Sequence, residues 1–396
     1  MPLPEPSADA LIASRALESL IRNDIRAHRD WISFARFMEL ALYAEGLGYY
    51  AGGSSKLGKD GDFTTAPEIT PLFGATIGRF AIDCFGTEPL RILEFGAGTG
   101  RLALDVMQFL GEQGVAVVEY LIVELSADLR ERQREMLAGF PQVQWLSVPP
   151  TAFSGLILCN EVLDAMPVQL LHRKNRTWYE RGLVWETQGQ ELEVSAEPVS
   201  SANPASQQNL QALKWNDRVT DARPPIEIEG EHDYLTEIHL QAHAFIQTLA
   251  DRLLASQRST GKGGAVFLLD YGFPEHEYFH PQRHMGTLMC HQLHRADPDP
   301  LSDVGAKDIT AHVDFTGIAL AAQDAGLHVL GYTSQAHFLI NCGLLEPLAE
   351  APLEEKAMAQ KLITEHEMGE LFKVIALGTH AWEPLGFKQG DRSHTL

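Results

Sequence analysis

The chain has 396 residues, 45% of them hydrophobic and 21% charged, and its 31 Lys and Arg against 53 Asp and Glu leave a formal charge of −22. That length exceeds what one compact core holds, so an α/β enzyme with a sizeable insertion, or two domains, is expected. The negative field disfavours nucleic acid as a partner, no apolar run reaches membrane-spanning length, and four dispersed cysteines (Cys84, Cys159, Cys290, Cys342) without a CxxC pair fit reduced thiols.

Met1 to Asp9 carries proline and acid where an export signal needs a basic stretch and an apolar core, which sets the expectation of a cytoplasmic protein. Leu11, Ile12, Leu17, Leu20, Ile21 and Ile25 recur at helical spacing, so a helix is expected from Ala8 to His28 and a second from Ser33 to Ala44. Leu47 to Thr65 is rich in glycine, serine and lysine and reads as a loop with the makings of a lid. Thr65-Ala66-Pro67-Glu68 has the capping-box pattern, with a helix continuing from Ile69 to Phe85. Residues 1–86 thus form a helical N-terminal region containing a glycine loop.

Residues 87–167 alternate as strand and helix. The strands are Leu90–Glu94, Glu119–Val123, Val143–Leu146 and Gly155–Cys159, with helices at Arg101–Leu110 and Ala127–Ala138. Far more sequence follows than a crossover needs. Within residues 168–235, Val168–Arg173, Trp178–Trp185 and Glu191–Val194 have strand character, and Ser200–Pro225 is polar and contains proline. An antiparallel insertion between the fourth and fifth core strands is expected, a common seat of specificity. Residues 236–396 resume the core with a crossover helix over Thr236–Leu254 and strands at Ala265–Leu269, Leu327–Tyr332 and Leu371–Leu377.

The chemistry centres on Leu93-Glu94-Phe95-Gly96-Ala97-Gly98-Thr99-Gly100, a buried strand running into a glycine-rich turn. A dinucleotide site wants its third glycine one residue later, where Arg101 stands. The spacing GxGxG, with Glu94 before it, suits S-adenosyl-L-methionine, which has no pyrophosphate to cradle. Glu124 ends the next strand, where a carboxylate accepts two ribose hydroxyls. Asn160-Glu161 and Asp164 follow the fourth strand and would face the reactive end of the cofactor. Carboxylates there suit a guanidinium acceptor, although either acid can also cap the next helix. Asp270-Tyr271 ends the fifth strand at the same edge, equally plausible as a turn acid. His276-Glu277-Tyr278-Phe279-His280 matches HExxH, but Pro281 is incompatible with a helix running through the second histidine, and the wider set His284, Cys290, His291 and His294 lacks standard ligand spacing, so no metal is expected.

Taken together, Gly46-Leu47-Gly48-Tyr49-Tyr50, Gly61-Asp62-Phe63-Thr64-Thr65-Ala66-Pro67-Glu68-Ile69, the glycine turn, Asn160-Glu161-Val162-Leu163-Asp164-Ala165-Met166-Pro167-Val168, Asp270-Tyr271-Gly272 and Asp308-Ile309-Thr310-Ala311-His312-Val313-Asp314-Phe315 resemble the MidA-like S-adenosylmethionine-dependent methyltransferases. That family includes the mitochondrial complex I assembly factor methyltransferase. The resemblance spans nearly the whole chain and implies a Rossmann-like class I core of seven strands. It implies, for the mitochondrial member, dimethylation of an arginine on a respiratory complex I subunit. The candidate set is then Glu161 and Asp164 as catalytic residues; Thr65, Pro67, Glu94, Gly96, Gly98, Gly100, Glu124 and Asn160 around the cofactor; and Glu68, Asp270, Tyr271 and His312 around an arginine-containing protein substrate. A non-catalytic assembly factor keeping the fold, or a methyltransferase with another acceptor, stays open.

Overall fold

The structure, a computed structural model, describes residues 8–52, 65–187, 211–292 and 295–396. Most of the expected glycine loop, the expected strand Glu191–Val194 and His294 lie outside these residues. In chain order the elements are α1 (Ala8–Ala27), β1 (Ile32–Ser33), α2 (Phe34–Tyr43), α3 (Ala66–Ile69), α4 (Pro71–Phe85), β2 (Leu90–Phe95), α5 (Arg101–Glu112), β3 (Val117–Val123), α6 (Ala127–Met136), β4 (Val143–Leu146) and β5 (Gly155–Asn160). Then come β6 (Gln169–Lys174), β7 (Thr177–Thr187), β8 (Gln211–Val219), β9 (Tyr234–Ile238), α7 (Leu240–Thr260), β10 (Gly264–Phe273), α8 (Glu275–Tyr278) and β11 (Met289–Gln292). The chain continues through β12 (Arg295–Asp297), β13 (Asp308–Thr310), β14 (Val313–Asp314), α9 (Phe315–Asp324), β15 (His328–Ser334), α10 (Gln335–Asn341) and β16 (Phe372–Gly378).

The central sheet runs β15-β16-β10-β5-β2-β3-β4, with the short β14 paired to β10. Strands β2, β3, β4, β5 and β10 are mutually parallel, and β16 lies antiparallel between β10 and β15. Its strands are nearly continuous in buried apolar residues because both faces are covered. Phe73, Ile77 and Phe80 of α4 pack on one face with Leu102 and Val106 of α5. Ile246, Leu249 and Leu253 of α7 pack on the other with Phe315 and Ile318 of α9. The chain leaves β2 toward β3 on one side and returns to β5 on the other. This reversal opens a crevice beyond Phe95 and its register partner Cys159.

A second, antiparallel sheet runs β1-β7-β6-β9 with β8 on β7. Leu170 and Leu183 of this sheet share one core with Leu17 and Ile21 of α1 and Phe37 of α2, so the N-terminal helices and the inserted strands are packed as a unit.

Three local expectations change. The helix expected through Ile69 is broken at Thr70, whose extended backbone (φ −160°) is what Pro71 demands of the residue before it. The crossover helix begins at Leu240 rather than Thr236. Tyr234–Ile238 instead forms β9, with Leu171 opposite Thr236. Part of the polar stretch from Ser200 to Pro225 is strand β8, which pairs along β7 from Thr187–Gln211 to Tyr179–Val219.

Candidate active site

The crevice is a cavity of about 750 Å³. One wall is the turn after β2. Gly96, Gly98 and Gly100 take φ values of 62°, 57° and 91°, left-handed backbone that glycine adopts without cost. A Cβ on Gly100 would also stand 3.3 Å from Gln133. Gln133 of α6 is fully buried and holds the turn together. Its amide donates to the Gly98 carbonyl at 2.8 Å and to Glu124 at 3.1 Å, and accepts from the Trp145 indole at 2.9 Å.

Glu124 follows β3. It accepts from the Ser126 N–H at 2.9 Å as well as from Gln133, and burial raises its pKa against those bonds. A carboxylate has about four lone-pair sites, and with the Leu125 N–H also donating to it, acceptor capacity is left for a ligand hydroxyl. Glu94, 2% exposed, accepts from the Tyr120 hydroxyl at 2.8 Å, and burial pushes its pKa up to about 7.

The opposite contribution comes from the loop after β5. Glu161 has a left-handed backbone (φ 52°), unusual for a residue with a side chain, and its N–H donates to the Leu269 carbonyl at 2.8 Å. Its carboxyl accepts from the Asn160 amide at 3.1 Å and from the Ala66 N–H. Burial first, and the neighbouring Asp164 second, push its pKa up to about 8. Asp270 stands behind this loop. One of its oxygens accepts from the N–H groups of Leu163 at 2.9 Å and Asp164 at 3.2 Å. Tyr271 donates its hydroxyl to Asp164 at 2.7 Å, and the His312 ring meets Tyr271 edge-on at 5.1 Å. Burial raises the pKa of both Asp164 and Asp270.

Of the sequence candidates, Thr65, Pro67, Glu68, Glu94, Gly96, Gly98, Glu124, Asn160, Glu161 and Asp164 line the cavity. Gly100, Asp270, Tyr271 and His312 do not. Asp270 and Tyr271 bond to the loop after β5, and His312 packs against the Tyr271 ring. The capping box is not formed either: Thr65 makes no side-chain cap bond, and Glu68 instead accepts from the Thr99 hydroxyl, tying α3 to the glycine turn. The HExxH segment is a single turn, α8, in which Tyr278 is buried and donates to Glu237 at 2.9 Å. Among the described residues no cluster of His, Cys, Asp and Glu is arranged to hold a metal. Sequence reasoning missed Gln133, which looks solvated on the polar helix α6, and Tyr43 and Tyr50, which read as core on and beside the amphipathic helix α2.

Six carboxylate side chains line the cavity: Glu39, Glu68, Glu94, Glu124, Glu161 and Asp164. The one Lys or Arg among its described lining residues, Arg101, is paired with Asp105 at 2.8 Å. Such a cavity favours cations, and S-adenosyl-L-methionine, with its sulfonium, amino group and ribose diol, fits this donor set.

The comparisons with known proteins agree with that fit. Residues 76–333 match a family described as "Putative S-adenosyl-L-methionine-dependent methyltransferase". A crystal structure of a protein from Burkholderia thailandensis bound to S-adenosyl-homocysteine is similar over 100% of both chains, with 42% identity and a TM-score of 0.86. The protein arginine methyltransferase NDUFAF7, mitochondrial, of Danio rerio is 28% identical over 392 residues, covering 87% of this chain and 83% of the relative. Its Mus musculus counterpart is 28% identical over 394 residues, covering 88% and 81%. These relatives are named as mitochondrial, which overturns the expectation of a cytoplasmic protein drawn from the first nine residues. No helix among the described residues is long and apolar enough to cross a membrane. The cofactor is S-adenosyl-L-methionine.

Proposed function

The chain belongs to the S-adenosyl-L-methionine-dependent methyltransferase family, and from that premise we propose that it methylates arginine side chains of a protein. The observation that carries this reading is the excess of carboxylates in the cavity, Glu161 and Asp164 among them. The names of the curated relatives support it.

The bound cofactor supplies a methyl group made electrophilic by its sulfonium. The residues of the chain hold and align. Gly96 and Gly98 let the backbone approach the ligand, and Glu124 accepts from a ribose hydroxyl. Holding a nucleophile in line with the methyl group is worth up to about 7–11 kcal/mol. Glu161 and Asp164 orient the guanidinium, whose five donors match carboxylates bidentately. A guanidinium is protonated at any working pH, its pKa being above about 12. The nitrogen that takes the methyl must therefore lose a proton. Glu161 keeps its own proton in the free protein up to about pH 8; a cation docked beside it favours the ionised form, and the carboxylate can then accept the proton of the guanidinium.

The test is chromatographic. The protein is incubated with methyl-labelled S-adenosyl-L-methionine and an extract of cells lacking it, and the labelled protein is hydrolysed to amino acids. Label eluting as methylated arginine is expected. Label eluting as methylated lysine or histidine would overturn the arginine assignment.

A further inference from the structure

Part of the cavity wall is aromatic and comes from the N-terminal region. Tyr43, the last residue of α2, and Tyr50, in the turn that follows, line the cavity together with Asn160, Glu161 and Asp164. The two rings stack with offset, their centroids 5.6 Å apart and their planes 18° from parallel. Both hydroxyls are spent on the protein. Tyr43 donates to the Ala165 carbonyl at 2.9 Å, and Tyr50 donates to the Asp308 carboxylate, 2.9 and 3.0 Å from its two oxygens. With their polar ends tied down, the rings offer π surface to a ligand. A phenol that donates to a carboxylate is polarised toward a more electron-rich ring, which attracts cations more strongly.

A second observation concerns the loop beside them. Asp164 is 6% exposed, and its Oδ1 has no hydrogen-bond partner. Asn160 Oδ1 is buried and unpartnered as well. Two orphaned acceptors on one cavity wall call for donors from a ligand, because an unmet buried acceptor costs free energy that a bound N–H recovers.

We propose that Tyr43, Tyr50, Asn160 and Asp164 form the acceptor subsite, in which a planar guanidinium lies on the tyrosine wall and donates N–H bonds to the two orphaned oxygens. The subsite rests on the arginine reading above and adds what selects the acceptor. Aromatic stacking and planar donation favour guanidinium over the compact, strongly hydrated ammonium of lysine. The N-terminal region, outside the glycine turn and the cofactor carboxylates, thereby contributes to substrate choice.

The full chain, saturated with S-adenosyl-homocysteine, is titrated calorimetrically with N-acetylarginine methylamide and with its lysine and citrulline counterparts. Wild type, Tyr43→Leu, Tyr50→Leu and Tyr50→Phe are compared. Wild type should prefer the arginine probe over both others by about tenfold. Each leucine variant should lose about fivefold or more of that affinity, while Tyr50→Phe keeps most of it and all variants bind S-adenosyl-homocysteine as wild type does. Leucine variants that hold both ligands normally would overturn the subsite and leave the arginine reading standing. A wild-type preference for the lysine or citrulline probe would remove both. Should a leucine variant fail to fold, the wild type decides: the arginine probe must shift the ring resonances of Tyr43 and Tyr50 in tyrosine-labelled protein, and unshifted rings overturn the proposal.

Discussion

At the scale of single residues, Glu161 concentrates the tension in this site. Its backbone is left-handed, a conformation that costs a side-chain-bearing residue on the order of 1–3 kcal/mol, and its carboxyl is buried beside Asp164. The folded chain holds the Glu161 proton up to about pH 8, whereas the unfolded chain releases it near 4.5. Its contribution to stability is therefore full below the lower value and is lost as pH rises through the upper one. The melting temperature of ligand-free wild type relative to Glu161→Gln should fall between about pH 5 and about pH 8.5, read by calorimetry. A constant difference would mean that Glu161 is ionised in the free protein. Asp270 acts one step further back. Asp270→Ala strands the N–H groups of Leu163 and Asp164, each worth about 1–3 kcal/mol if left unmet, so denaturant unfolding should show a loss of several kcal/mol. An unchanged midpoint would show that the loop holds itself.

At the scale of elements, the glycine turn and the end of β3 act as one piece because Gln133 of α6 bonds to both. Gln133→Ala should weaken S-adenosyl-homocysteine binding by about tenfold and stability by about 1–3 kcal/mol, measured by calorimetry and denaturant unfolding. Wild-type affinity in that variant would contradict the coupling. Nothing in the sequence marks Gln133, since a polar residue on a polar helix looks solvated. The turn itself was legible, because alternating glycines directly after an apolar strand demand a backbone that turns tightly and leaves room for a ligand. So was the loop from Asn160 to Asp164, which directly follows a buried strand. The places of Asp270, Tyr271 and His312 were not, because a strand end tells which edge a residue reaches but not whether its side chain points into the crevice or behind it. The last three residues of β9, Thr236 to Ile238, look like the start of the crossover helix because so short a run satisfies either spacing. Strand β8 hid in a polar stretch because its pairing with β7, rather than a hydrophobic pattern, defines it.

At the scale of the whole molecule, the formal charge of −22 and the carboxylate-lined cavity act in the same direction on a basic protein substrate. Long-range attraction of this kind is screened within roughly 10 Å at about 0.1 M salt. The kcat/KM for a basic substrate should thus fall by about tenfold on raising salt from about 0.05 M to about 0.5 M, while S-adenosyl-homocysteine affinity changes little. A salt-independent kcat/KM would remove electrostatic attraction from substrate capture. The packing of the N-terminal helices against the inserted sheet gives the molecule a second body that bears Tyr43, so the cofactor side and one wall of the cavity are built by different parts of the chain.

The account as a whole stands on methyl transfer to a guanidinium aligned by Glu161. The most direct measurement incubates wild type and Glu161→Gln with deuteromethyl S-adenosyl-L-methionine and an extract of cells lacking the protein, then locates the heavy methyl by mass spectrometry. The predicted result is label on an arginine side-chain nitrogen with wild type, reduced about 100-fold or more with Glu161→Gln although that variant still binds S-adenosyl-homocysteine. Label on a different residue type, or equal labelling by the two proteins, would contradict it.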